Sequence, residues 1–97
     1  MERTYHTYIL ASGRNGTLYI GVTGNLPARV WQHRSGSAEG FTKKYNVGRL
    51  VHVEPFADIN EEIAREKALK KWRRAWKLEL IERDNPQWLD LFDVINA

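Results

Sequence analysis

The chain has no cysteine and no long apolar run, and both absences narrow what it can do. Without cysteine among its 97 residues, disulfides, thiolate metal sites and cysteine nucleophiles are excluded. No apolar run approaches the roughly 20 residues that span a bilayer. The first four residues, Met-Glu-Arg-Thr, lack the basic-then-apolar order of a secretory signal. We therefore expect a soluble cytoplasmic protein without membrane contact.

Length and charge set two further bounds. Ninety-seven residues suffice for one hydrophobic core but not for two, so we expect a single domain over residues 1–97. Four Trp, four Tyr and three Phe supply large apolar side chains for that core. The net charge of +3 permits a polyanionic partner such as nucleic acid without requiring one.

Three segments predict strands. Residues 4–11 and 17–23 are rich in β-branched and aromatic residues and flank an Asn15-Gly16 turn, which is typical of a β-hairpin. Register across the turn allows side chains of even number on one strand and odd number on the other to share a face. Residues 49–56 predict a third strand, and Pro55 near its end indicates an edge.

The remaining segments predict helices. Asn25 suits an N-cap and Gly36 the left-handed position after a helix end. A second helical pattern covers residues 61–83, with an expected break near residues 73–75 and a stop at Asn85-Pro86. Its predicted buried stripe is Leu69, Trp72, Trp76 and Leu80. The prediction is an α+β domain of order ββ-α-β-α-α, with helices around a small three-stranded antiparallel sheet.

Four polar side chains have a spacing suited to phosphodiester chemistry. A hairpin can place Tyr8 and Tyr19 on one face, and Arg29 and His33 share a helix face because they are four residues apart. An arginine fork matches two phosphate oxygens and stays charged, while His or Tyr can transfer protons. Taken singly, each residue is better explained by packing or by a solvated surface than by chemistry.

Three carboxylates on the second long helix are candidates for a metal ligand. Glu61 and Glu62 lie in its first turn, where acids already favour the helix dipole. Glu66 lies farther in, and its alternative explanation is an ion pair with Lys70. Spacing alone favours that ion pair.

Together these residues resemble the GIY-YIG endonuclease domain, in its small stand-alone form. The two motif triplets of that family correspond to His6-Thr7-Tyr8 and Tyr19-Ile20-Gly21. The family's helix arginine corresponds to Arg29, the His or Tyr one turn later to His33, and its metal-binding Glu to Glu66. A late Asn corresponds to Asn85. The resemblance covers nearly the whole chain.

The resemblance implies single-metal hydrolysis of DNA, with RNA as an alternative substrate. Glu66 would hold one Mg²⁺ or Mn²⁺, Arg29 would neutralise charge on the phosphate, and His33 would orient the base or shuttle a proton. Tyr8 or Tyr19 would be the general base, and the sequence leaves that choice open. Asn85 would support the site, and no nucleotide cofactor is expected. The implied role is structure-selective cleavage in repair or recombination.

A basic cluster provides a separate basis for DNA contact, because neutralising phosphates releases counterions. The other explanation for this cluster is an ordinary solvated helix face. The cluster comprises Lys43, Lys44, Lys67, Lys70, Lys71, Arg73 and Arg74.

The chain departs from the family pattern at three positions. His6 and Thr7 stand where the family has Gly and Ile, and Val22 stands where related excision-repair incision nucleases carry Lys. Three interpretations therefore stay open: an active nuclease, a nucleic-acid-binding module with weak or lost catalysis, and a subunit that needs a targeting partner. The docking surface for such a partner would comprise Trp88, Leu89, Leu91, Phe92 and Val94.

Overall fold

The computed structural model describes residues 4–36 and 40–95 and confirms the α+β class. Two one-turn helices, Phe41–Lys44 and Phe92–Ile95, add to the predicted order. In the described part of the chain, no helix is both long and apolar enough to cross a bilayer. The elements are β1 (Tyr5–Ala11), β2 (Leu18–Thr23), α1 (Leu26–Ser35), α2 (Phe41–Lys44), β3 (Arg49–Phe56), α3 (Ile59–Lys71), α4 (Arg74–Asp84) and α5 (Phe92–Ile95).

The sheet has the order β2-β1-β3, and both pairings are antiparallel. Tyr8 pairs with Gly21 and Leu10 pairs with Tyr19. Because directly paired residues lie on the same face of a sheet, the two tyrosines share one face, as the hairpin register predicted. The strand β3 pairs with β1 alone in the described structure, which agrees with the edge position indicated by Pro55.

Helices cover both faces of the sheet, so the fold has three layers. Leu26 and Val30 of α1 pack on the face that carries Tyr8 and Leu10. The opposite face packs against α3 and α4 through a second buried cluster, which comprises Ile9, Ala11, Ile20, Val51, Leu69, Leu80, Ile81 and Trp88. The face under α1 is therefore the one that carries Tyr8 and Tyr19.

The helix α1 begins and ends where its capping residues indicate. The Asn25 side chain accepts a hydrogen bond from the backbone N–H of Ala28 at 3.3 Å. Gly36 closes the helix with φ 78°, in the left-handed region, which glycine adopts without steric cost. Between these caps, one turn of α1 separates Arg29 from His33.

The predicted stripe on the second long helix is wrong at Trp76. The helix breaks at Trp72 and Arg73, whose backbones are extended with ψ of 146° and 155°. The 3.6-residue phase that buries Leu69 in α3 is therefore not continued into α4. There Leu80 and Ile81 are buried, while Trp76 is 46% exposed and packs edge-on against Trp72.

The segment after α4 mostly closes the core instead of forming a docking surface. Trp88 is fully buried, and its Nε1 donates to Glu82 Oε2 at 3.1 Å. Leu91 and Phe92 pack against the Tyr8 side of the sheet. Of the five residues predicted to dock a partner, only Leu89 and Val94 are exposed large apolar side chains.

Candidate functional site

Tyr8 forms the buried floor of the site. Tyr8 is 1% exposed, and its Oη lies 3.1 Å from His33 Nε2. The phenol lies over Gly21, where a Cβ would come within 2.5 Å of Tyr8 Oη. The glycine of the Tyr19-Ile20-Gly21 triplet therefore makes the space that the phenol occupies.

His33 is held from both ring nitrogens. Its Nδ1 lies 2.9 Å from Thr42 Oγ1, and both residues are buried. A neutral ring with its proton on Nδ1 donates to Thr42 and accepts from the Tyr8 hydroxyl at Nε2. Burial, and then the charge of Arg29, lower the pKa of His33 to about 4, so the ring is neutral at physiological pH.

Arg29 lies against both phenols. Although burial opposes its charge, hydrogen bonding and attraction to Tyr8 and Tyr19 raise the pKa of Arg29. Its Nη1 also donates to Gln32 Oε1 at 3.0 Å, which fixes the guanidinium along α1. The cation is thus kept beside the two hydroxyls.

The environment keeps Tyr8 protonated. Burial and the neighbouring Tyr19 raise the pKa of Tyr8 to about 12, despite the opposing effect of Arg29. The Tyr19 ring is half-buried, with its centroid 6.3 Å from the Tyr8 ring and 5.0 Å from the His33 ring. The site therefore combines a neutral phenol, a neutral imidazole and a fixed cation.

Glu66 approaches this group from α3. Its carboxylate contributes to the raised pKa of Tyr8, and it pairs with Lys70 Nζ at 3.2 Å. Glu62, by contrast, is buried, its Oε2 has no hydrogen-bond partner among the described residues, and burial raises the pKa of this carboxyl. The charge of Glu66 therefore acts on Tyr8, and its assignment as the metal ligand stays a prediction.

The donor set fits a hard divalent cation held by few protein ligands. Within residues 4–36 and 40–95, no three His, Cys, Asp or Glu side chains cluster as metal ligands. Mg²⁺ is commonly held by one or two carboxylates together with water and substrate phosphate. A single carboxylate at Glu66 is compatible with that mode and not with a closed protein cage.

The predicted basic cluster is divided among several tasks. Arg74 donates to the carbonyl oxygens of Asn15 and Gly16 at 2.7 and 2.8 Å, so it fastens the hairpin turn to α4. Lys70 is paired with Glu66, and Lys44 lies over the Tyr45 ring. Arg73 lies over the Trp76 ring. Exposed side chains on α2 and α3 complete the cluster, namely Lys43, Lys67 and Lys71.

Asn85 is not brought to the phenols by any contact in the described structure. Its Nδ2 donates to Val51 O at 3.2 Å and to Leu89 O at 2.8 Å. Its Oδ1 accepts from Leu89 N at 2.9 Å. These bonds tie the end of α4 to β3, which gives Asn85 a structural task.

Sequence reasoning missed two residues of the site. Gly21 was part of a recognised triplet, and its pairing with Tyr8 was the signal that its missing side chain matters. Thr42 follows Phe41 in a segment without strong periodicity, and no sequence signal connects it to His33. Both residues act on the position of a predicted site side chain.

The three residues that depart from the family pattern are His6, Thr7 and Val22, and none of them contributes to the described polar contacts around Tyr8. Thr7 and Val22 pair with each other on the face opposite Tyr8, and the Thr7 hydroxyl donates to Glu62 O at 3.1 Å. His6 pairs with Thr23 at the end of the hairpin. None of these side chains makes a polar contact with Tyr8 or His33 in the described structure.

Comparison with known proteins shows the family of the chain. Residues 4–79 match the family model described as the GIY-YIG catalytic domain. A UPF0213 protein of Syntrophus aciditrophicus is 38% identical over 88 residues, which cover 90% of this chain and 98% of the relative. One of Staphylococcus haemolyticus is 32% identical over 77 residues, or 79% of this chain and 94% of the relative. The solution NMR structure of the UPF0213 protein from Bacillus halodurans is similar, with a TM-score of 0.56, 25% identity, and coverage of 90% of this chain and 92% of that chain. The chain therefore belongs to the GIY-YIG family of nuclease domains, among its small UPF0213 members.

Proposed function

We propose that this protein is a metal-dependent endonuclease that hydrolyses phosphodiester bonds in DNA. One observation carries the proposal: the Tyr8 hydroxyl is bonded to His33 Nε2 at 3.1 Å, with the Arg29 cation beside it. A phenol and an imidazole that share a proton next to an anion-binding group are what water activation at a phosphate needs.

Tyr8 and His33 act as a proton relay. The neutral His33 ring offers the Nε2 lone pair, so the Tyr8 hydroxyl can pass its proton to His33 while accepting one from the attacking water. This route needs no stable tyrosinate, which a phenol with pKa of about 12 would form only at high cost near neutral pH. The relay assigns the role of general base to Tyr8, acting with His33.

Arg29 and Tyr19 hold the phosphate. The guanidinium can meet two phosphate oxygens with its planar fork and stabilise the charge that develops on them. Tyr19 is the more exposed of the two phenols, so its hydroxyl can donate to a substrate oxygen at the mouth of the site.

Glu66 would hold the divalent cation that nucleases of this family generally use. A bound Mg²⁺ or Mn²⁺ would supply Lewis-acid stabilisation of the phosphoryl oxygens. Lys70, which pairs with Glu66, offsets its charge in the metal-free protein. Asn85 is proposed to stabilise the fold and not to support the chemistry.

We infer that the substrate is a branched or otherwise non-duplex DNA met in repair or recombination in the cytoplasm. The exposed lysines on α2 and α3 favour backbone contacts, which carry no sequence information. Selectivity would then come from the shape of the DNA or from a targeting partner.

Cleavage assays test the proposal. The purified protein is incubated with labelled flaps, forks, single strands, duplexes and RNA, with Mg²⁺, Mn²⁺ or chelator. We expect metal-dependent cleavage, which Tyr8→Phe and Arg29→Ala each reduce by about 10²-fold or more. Arg83→Ala, a change at an exposed residue of α4 outside the basic cluster, serves as the matched control and should leave the rate nearly unchanged.

Two outcomes would count against the proposal. Equal rates for the wild type, Tyr8→Phe and Arg29→Ala would mean that the cleavage comes from another site or a contaminant. Metal-dependent DNA binding without cleavage of any substrate would favour the second candidate, a binding module whose catalysis is lost.

A further inference from the structure

A cleft opens beside Tyr19. It has a volume of about 240 Å³, below the roughly 300–1,000 Å³ of pockets that enclose drug-sized ligands. Tyr19 belongs both to this cleft and to the candidate active site, so the two are adjacent. The lining comprises Leu18, Tyr19, Ile20, Phe41, Lys70 and Lys77.

Three aromatic rings run outward from the active site past this cleft. The ring centroids of Tyr19 and Phe41 are 6.4 Å apart, and those of Phe41 and Tyr45 are 4.7 Å apart. Phe41 is 44% exposed and Tyr45 is 45% exposed. We call Tyr19, Phe41 and Tyr45 the aromatic row. Core packing does not account for two neighbouring aromatic side chains left this open to solvent.

The charge of the cleft lining is positive. Lys70 and Lys77 reach it from α3 and α4, and its described lining contains no carboxylate. The side chain of Lys70 is 54% exposed even while it pairs with Glu66. An occupant should therefore combine a flat apolar part for the aromatic ring with negative charge for the lysines.

We propose that this cleft binds one unpaired nucleotide next to the scissile phosphate. The base stacks on Phe41, and Lys70 and Lys77 meet the flanking phosphates. Aromatic stacking combined with a cationic groove is how proteins hold single strands without reading sequence. A paired base has its faces covered by its neighbours, so duplex DNA cannot use the cleft. This inference rests on the proposed nuclease function and gives that site its substrate class: DNA with an unpaired segment at the cut.

Binding without cleavage tests the subsite. Fluorescence anisotropy is recorded in chelator with labelled dT12, rU12 and a 12-base-pair duplex. Phe41→Ala should weaken the affinity for both single strands at least about fivefold, the lower end of the contribution of one stacked base. Phe41→Trp, which keeps a stacking surface, should restore the affinity to within about twofold. Duplex affinity should not change in either variant.

A second variant measures the phosphate contact. Lys77→Gln should lower the slope of log affinity against log salt for dT12 by about 0.7, the value for one phosphate contact on a single strand. Trp31→Ala is the matched control, because Trp31 is 58% exposed on α1 and lies outside the cleft. It should leave all three affinities unchanged.

The outcomes separate this inference from the nuclease proposal. If Phe41→Ala leaves dT12 affinity unchanged, or weakens dT12 and duplex equally, the subsite is refuted even where cleavage depends on Tyr8 and Arg29. If cleavage is indifferent to Tyr8 and Arg29, the nuclease proposal fails while the binding result still stands.

Discussion

Replacing Gly21 by alanine tests whether the position of one phenol governs the site. A Cβ at this position would lie 2.5 Å from Tyr8 Oη, 2.6 Å from Tyr8 Cζ and 3.0 Å from Tyr19 Cε1. Ordinary contacts begin near 3.4 Å, so the Tyr8 ring has to retreat by about 1 Å. Tyr8 is buried between Gly21 and the α1 helix, and this retreat breaks the alignment of its hydroxyl with His33 Nε2.

The expected effects are a large loss of rate and a moderate loss of stability. Misplacing a reacting group by about 1 Å can cost on the order of 10²-fold in rate. An inserted methyl group in a packed site typically costs about 1–3 kcal/mol, which corresponds to a decrease in Tm of roughly 5–20 °C for a domain of this size. The protein should therefore remain folded at 25 °C but be nearly inactive.

The assay compares single-turnover cleavage with thermal unfolding for Gly21→Ala, Tyr8→Phe and the double variant. If Gly21 acts through the Tyr8 hydroxyl, the double variant should cleave no more slowly than the slower single variant. Gly13→Ala is the matched control, because a Cβ there would have no neighbour within 4 Å. A Gly21→Ala protein that cleaves within about threefold of the wild-type rate would refute the assignment of Tyr8 to the reaction.

Three further predictions concern titration and packing. Burial opposes ionisation of Glu54, but hydrogen bonds from His52 and Arg65 lower the pKa of Glu54 to about 2 from 4.5. This carboxylate therefore stabilises the fold above about pH 4.5 and ceases to do so as the pH falls towards 2. The free energy of unfolding should lose about 3 kcal/mol over that range, and denaturant titrations should show a weaker pH dependence in Glu54→Gln; equal slopes would contradict the prediction. By NMR, His33 should titrate near pH 4, and Arg29→Gln should raise that pKa because it removes a neighbouring positive charge. An unchanged titration midpoint of His33 in Arg29→Gln would show that the charge of Arg29 does not act on His33. Asn85→Ala should cost about 2–3 kcal/mol of stability, since it leaves buried backbone groups without partners, while the folded protein keeps its cleavage rate. If Asn85→Ala is folded but does not cleave, Asn85 supports the reaction as well as the fold.

Local patterns in the sequence were sufficient for the sheet and the first helix. The alternation in residues 17–23 and the Asn-Gly turn predicted the hairpin and allowed Tyr8 and Tyr19 to share a face, and the structure supplies the register in which they do, with Ala11 paired with Leu18. Asn25 and Gly36 cap α1 as predicted. Each of these signals depends on backbone preferences within a few residues, so neighbours distant in the chain cannot overrule it.

Predictions that needed long-range packing fared less well. The helix break was expected near residues 73–75 and lies at Trp72 and Arg73, but the predicted burial of Trp76 beyond it was wrong. Thr42 reaches His33 only because α2 folds back beneath α1, and Arg74 fastens a hairpin turn 58 and 59 residues away in the chain. Such contacts depend on how helices and strands pack against one another, and this packing produces no periodic pattern in the sequence.

One physical cause sets both members of the Tyr8–His33 pair. Desolvation disfavours the charged form of each group, so the same burial raises the pKa of Tyr8 to about 12 and lowers that of His33 to about 4. The proton therefore rests on the phenol, and neither group carries charge at neutral pH. Glu66 is paired with Lys70, while the Arg29 cation lies beside the phenols. In the proposed reaction, Arg29 would therefore bind the phosphodiester anion, while Tyr8 and His33 stay neutral until a proton is transferred.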